Sequence, residues 1–98
     1  MDGLKDYNAA KREAFEEAGI EGRISRMAFG AYDYLKRLKG GAMQPCRVIV
    51  YQLTVKAILR NWPEKNQRKR KWFSALRAAE LVQEPELQIL IKKFLPVE

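Results

Sequence analysis

Ninety-eight residues with 47% hydrophobic content fit a single domain with material for a core and exclude a disordered chain. The lone cysteine, Cys46, excludes an internal disulfide and points to a reducing compartment, the cytoplasm by default. A net charge of +7 calls for an anionic partner, while the polar start, Met1-Asp2-Gly3-Leu4-Lys5-Asp6, and the lack of an apolar run near about 18 residues argue against a signal peptide and a membrane span.

Leu4, Tyr7, Lys11, Ala14, Phe15 and Ala18 fall on one helical stripe. Asp2 is placed to cap this helix, and Gly19 to close it through a left-handed residue. Glu13, Glu16 and Glu17 make its outer face acidic. Ile24, Met27, Ala28, Ala31, Leu35 and Leu38 predict a second helix, with Lys36, Arg37 and Lys39 in its last turn and Gly40-Gly41 as its stop. Gly30 in mid-helix costs about 1 kcal/mol relative to alanine and marks a point where the helix can break. Segment 14–26 resembles a helix-turn-helix, with Gly19 in the turn and polar residues opening the second helix. Phe15 is large where that motif takes a small residue, and Ser25 is polar where it takes an apolar one.

Residues 46–61 fit two periods. Val48, Tyr51, Val55, Ile58, Leu59 and Trp62 follow helical spacing. Ile49, Tyr51, Leu53 and Val55 alternate as a strand. The length of the pattern favours a central, buried helix, with a strand at 48–55 as the alternative. Trp62-Pro63 punctuates the chain, and Asn61 with Glu64 resembles a capping box for a helix running to Val82. Trp72, Ala75, Leu76, Ala79 and Val82 form its apolar side, with Trp72 as a core anchor. Pro85 opens a last helix carrying Leu87, Leu90, Ile91 and Phe94, with Lys92 and Lys93 in its final turn and Pro96 as its end. The fold class expected is all-α, a bundle of about five helices.

Little catalytic chemistry is visible. The chain has no histidine, so the commonest base near neutral pH is missing. One cysteine without histidine builds no structural zinc site. No phosphate-cradling glycine loop occurs, and Ser25 and Ser74 lack a triad histidine. The expectation is a chain that is not an enzyme and has no cofactor or metal.

The charge is concentrated. Residues 60–72 carry six Lys/Arg against Glu64, and residues 23–39 carry five against Asp33. Arg60, Lys65, Arg68, Lys69, Arg70, Lys71 and Arg77 are candidates for phosphate contacts, with Asn66 and Gln67 in reach of base edges. Cations early in a helix oppose its dipole, which supports an external anion. A secondary basic face comprises Arg23, Arg26, Phe29, Lys36, Arg37 and Lys39. The function expected is nucleic-acid binding, to DNA or RNA, in a regulatory or accessory role. The alternative is an adaptor or inhibitor docking its basic face on an acidic protein. A competing structural reading pairs the cluster with Glu13, Glu16 and Glu17. A homodimer and no membrane complete the partners considered.

Overall fold

A computed structural model describes residues 6–94. Among them are seven elements: α1 (Asp6–Ala18), β1 (Ile20–Ile24), β2 (Gly30–Arg37), β3 (Met43–Val50), β4 (Leu53–Ile58), α2 (Ala75–Leu81) and α3 (Pro85–Lys93). Three helices and four antiparallel strands in two sheets make an α+β chain, which corrects the all-α bundle. Two compact units are present. The first runs to Phe29 and resumes over Val50–Lys71; the second joins Gly30–Ile49 to the chain from Trp72 onward.

In the first unit α1 forms as expected, with Tyr7, Ala14, Phe15 and Ala18 of its stripe half-buried and Lys11 exposed, and the helix packs on β1. The predicted cap Asp2 and the stripe's Leu4 lie outside the described residues. Gly19 ends the helix at φ +66°, its N–H bonded to the Phe15 carbonyl at 3.0 Å. A side chain here would be strained by its backbone. Its Cβ would also lie 2.7 Å from Nη1 of Arg70 and 2.9 Å from the Trp62 indole.

β1 pairs antiparallel with β4, from Ile20 opposite Ile58 to Ile24 opposite Leu53. The register slips between Glu21 and Gly22, which face Ala57 and Val55, so Lys56 is the extra residue of a β-bulge. Gly22 is required there by space: a Cβ would overlap the Thr54 carbonyl oxygen. The ladder continues past β1, through Ser25 N–H to Gln52 O at 2.9 Å and Phe29 N–H to Val50 O at 2.8 Å.

In the second unit β2 and β3 pair as a hairpin. Gly40 and Gly41, both at φ +93°, make the turn, closed by Leu38 N–H to Ala42 O at 2.7 Å. α3 packs on β2 and against α2. At Gly30 a Cβ would overlap Cδ2 of Leu90, so the missing side chain lets α3 approach the strand. Ser74 caps α2 by accepting the Arg77 N–H at 3.2 Å. Pro85 starts α3 and Lys92 and Lys93 fill its last turn as expected; the stop expected at Pro96 lies outside the described residues. Ala79 is the one buried hydrophobic side chain among the described residues.

Three helices expected from the sequence are corrected. Residues 24–39 instead make a Ser25–Met27 turn, with the Met27 N–H on Ser25 Oγ at 3.3 Å, and then β2. From Gly30 the chain alternates, Tyr32 and Tyr34 inward and Ala31, Asp33 and Leu35 outward, a period that aromatic residues favour in strands. That strand also removes the second helix of the helix-turn-helix, as does β1 at 20–24. Residues 46–61 are the end of β3 and all of β4, joined at Tyr51-Gln52. Each has a strand partner, β2 across the glycine turn and β1 far back in the chain, so alternation prevailed over the helical period. Between 64 and 82 only Ala75–Leu81 is helical. Residues 63–67 form a turn, and the cations that follow would both repel one another and oppose a helix dipole. Trp72 is 69% exposed and Leu76 68%, so Trp72 is not the core anchor expected.

Candidate functional site

The first unit is organised around the C-terminal end of α1. The last turn of a helix leaves its carbonyls without intrahelical donors. Here the segment 59–70 supplies them in order. Glu64 N–H donates to Glu16 O at 2.9 Å, Trp62 Nε1–H to Glu17 O at 3.0 Å and Arg70 Nη1–H to Ala18 O at 2.7 Å. Leu59 N–H donates to Gly19 O at 2.8 Å. Arg70 also donates through Nη2 to the Leu59 carbonyl and stands over the Trp62 ring, its guanidinium carbon 3.9 Å from the centroid. A cation at this end of a helix also complements the dipole.

That anchoring fixes the helix end from which the carboxylates project. Glu13, Glu16 and Glu17 are spaced i, i+3 and i+4, which puts them on one face. Glu13 is exposed; Glu16 and Glu17 are half-buried. Arg68 Nη2 lies 3.4 Å from Glu17 Oε1 and its Nε donates to Glu64 Oε1 at 3.0 Å. The hydrogen bond to Glu64, and then the charges of Glu17 and Glu64, raise the guanidinium pKa above its ordinary value. Among the described residues no three acidic or cysteine side chains are grouped so as to hold a metal ion. The face as it stands is therefore a set of carboxylates, one of them engaged by an arginine, able to accept hydrogen bonds from water or a hydroxyl.

On the other flank of α1 lies an open cleft of about 580 Å³, lined by Tyr7, Lys11, Gly22, Arg23, Arg26 and Lys56 among others. A smaller one of about 360 Å³ shares Lys11 and Gly22 and is lined also by Asn8, Arg12 and Glu21.

The residues singled out from the sequence are dispersed by this fold. Arg60, Asn66 and Lys69 are exposed in the first unit. Lys65 donates to Asn61 Oδ1 at 3.0 Å and sits 5.9 Å from the Trp62 centroid. Gln67 N–H closes the turn on Glu64 O at 2.9 Å. Arg68 and Arg70 are turned to α1, and Lys71 is exposed. Arg77 belongs to the second unit, where it pairs with Glu80 at 3.0 Å. Of the secondary face, Arg23, Arg26 and Phe29 are in the first unit, and Lys36, Arg37 and Lys39 in the second. Arg26 lies 5.8 Å from the Tyr7 centroid. The carboxylate face and the pair Lys11 and Lys56 were not candidates. The i, i+3, i+4 spacing of the glutamates and the glycine interrupting the alternation of 20–24 were the signals available.

No protein-family model matches the chain, and no solved structure does. Curated proteins do. Nudix hydrolase 12, mitochondrial, of Arabidopsis thaliana is 30% identical over 92 residues, which cover 91% of this chain and 45% of the relative. Nudix hydrolase 13, mitochondrial, of the same plant is 32% identical over 96 residues, 91% of this chain and 46% of the relative. Diphosphoinositol polyphosphate phosphohydrolase 3-beta of Bos taurus is 38% identical over 77 residues, 76% of this chain and 43% of the relative. The chain spans less than half the length of these relatives. Similarity to hydrolases over most of the chain corrects three expectations: that it is not an enzyme, that it is a nucleic-acid-binding regulator, and that it is an adaptor or inhibitor. Among the described residues no helix is long and apolar enough to cross a membrane.

Proposed function

We propose that this chain contributes to a hydrolase that cleaves phosphate from small, phosphate-rich substrates. The observation that carries this reading is the 38% identity to a diphosphoinositol polyphosphate phosphohydrolase, spread over 76% of the chain. Hydrolysis needs groups that orient and deprotonate water, and carboxylates serve where histidine is absent. Glu13, Glu16 and Glu17 are the acidic groups that share one helical face, on a helix whose end is fastened at four successive carbonyls. Glu16 and Glu17 are the residues we assign to water; Arg68 positions Glu17. The overall basic charge favours encounter with a polyanionic substrate. For location, the single cysteine points to the cytoplasm, and the names of the plant relatives offer the mitochondrion as the second reading.

The test is release of inorganic phosphate from a diphosphorylated inositol phosphate by the purified protein. Glu16→Gln and Glu17→Gln are each expected to lower the rate by about a hundredfold or more, at the scale of losing a general base. Folding is checked by circular dichroism. A folded parent that releases no more phosphate than the folded Glu16→Gln/Glu17→Gln double variant overturns the proposal.

A further inference from the structure

The larger of the two clefts of the first unit collects positive charge, while a carboxylate nearby, Glu21, lines the smaller cleft. Lys11, Arg23, Arg26 and Lys56 line it, and no carboxylate does. Among the described residues the side chains of Lys11, Arg23 and Lys56 make no hydrogen bond, ion pair or ring contact, and Arg26 is held over Tyr7. Three separate features bring these cations together. Helix α1 supplies Lys11, one turn on from Tyr7. Strand β1 supplies Arg23. Lys56 arrives because it is the extra residue of the β4 bulge opposite Gly22, and bulges redirect side chains. Gly22 lines the cleft with bare backbone.

Like charges gathered in one concavity destabilise the free protein and raise the local concentration of anions. Local costs of this kind are found at functional sites. We infer that this cleft is a binding site for a small anion bearing two or more phosphate groups. Charge decides the class: one phosphate monoester carries roughly −1.5 to −2 at neutral pH, which leaves four cations about half neutralised. Arg23 and Arg26 can grip phosphate oxygens in pairs, and the lysines add point charges. The site is separate from the carboxylate face. Lys11 and Glu13 are two residues apart, about 200° around a helix, and none of the three glutamates lines the cleft. The inference therefore stands independently of the hydrolase reading.

Inorganic tripolyphosphate is the probe, titrated calorimetrically into the full chain at low salt, where screening is weak. The triple variant Lys11→Ala/Arg23→Ala/Lys56→Ala is expected to bind at least about tenfold more weakly than the parent, the loss of roughly one charge-assisted contact or more. A control, Lys36→Ala/Lys39→Ala/Lys69→Ala, removes the same formal charge from exposed positions outside the cleft and is expected to stay within about threefold of the parent, a general electrostatic effect. Amide resonances of the unaltered protein give a readout that needs no variant: those of Tyr7, Gly22 and Ile24 are expected to shift on adding tripolyphosphate. Equal weakening in both triple variants, unshifted resonances at these three residues, or no binding by the parent overturns the inference.

Discussion

Arg70 stands over the indole of Trp62, its guanidinium carbon 3.9 Å from the ring centroid, while Nη1 donates to the Ala18 carbonyl at 2.7 Å. Two residues from a cluster that looks on paper like a phosphate-binding run thus close the end of a helix some fifty positions earlier. Arg70→Ala removes a cation–π contact and the donors to Ala18 and Leu59, and is expected to lower stability by about 1–3 kcal/mol. Lys69→Ala, one position away and exposed, is expected to stay within about 0.5 kcal/mol of the parent. Urea denaturation measures both, and equal values for the two would mean that the clamp contributes nothing.

Gly22→Ala tests the bulge. The added methyl would overlap the Thr54 carbonyl oxygen, and backbone cannot yield as a side chain can. Opening the β1–β4 ladder at its irregular point is expected to cost about 2–3 kcal/mol or more. At Gly19 the added methyl meets the end of Arg70 and the Trp62 ring as well as a left-handed backbone, so Gly19→Ala adds strain of about 1–2 kcal/mol to the loss of part of the clamp. Both variants are expected to melt below the parent, and an unchanged melting temperature for Gly22→Ala would contradict the register described.

The sequence announced some elements and concealed others, for identifiable reasons. α1 and α3 were legible because each carries its own stripe and its own stop or start, Gly19 in one and Pro85 in the other. β2 was misread because Ala31, Leu35 and Leu38 also fit a helical spacing, and the end of β3 because Val48, Tyr51 and Val55 do. The turn between them, Gly40-Gly41, reads equally well as the end of a helix. β4 was hidden because its partner, β1, lies some thirty residues away, and pairing at that distance leaves no local mark. The carboxylate face was visible as an acidic helix side, yet spacing alone does not separate a solvated face from a working one. The cleft was not legible at all, since Lys11, Arg23 and Lys56 meet only through a bulge that pairing reveals.

Ser74→Ala removes the side-chain acceptor for the Arg77 N–H. α2 has only seven residues, too few to persist without help, and the loss is expected to be about 1 kcal/mol. Ser74→Asp restores an acceptor and is expected to recover most of it. Thermal unfolding of the three proteins checks the order, and an alanine variant as stable as the parent would remove the cap from the account.

Acid should weaken the second unit at one identifiable pair. Asp33 accepts from Arg47 Nε at 3.0 Å and from Nη2 at 3.3 Å, and this hydrogen bonding, then the arginine charge, holds its carboxyl below the usual range. Because the folded value is the lower one, the pair stabilises fully above the unfolded value of about 3.9 and the contribution fades as pH falls through the folded value. Asp33→Asn is expected to flatten the acid limb of the stability profile below pH of about 4 while leaving the profile above about 5 parallel to the parent's. An acid limb identical in parent and variant would show that the pair has no linkage to folding.

The pairing of β1 with β4 sets a timetable for synthesis. A ribosome releases residue 20 long before residue 58, and the hairpin of the second unit is made in between. Until the chain has reached Ile58, β1 lacks its strand partner, and until it has reached Arg70 the Ala18 carbonyl lacks its donor. The nascent first unit therefore waits, with unpaired strand backbone, through the production of about thirty-four residues, an interval of a few seconds at about 5–20 residues per second. Long-range pairing of this kind slows folding and leaves the intermediate prone to association. Rare codons placed between positions 24 and 53 would lengthen that exposure and lower the yield of folded protein, whereas the same codons after position 72 would leave the first unit untouched.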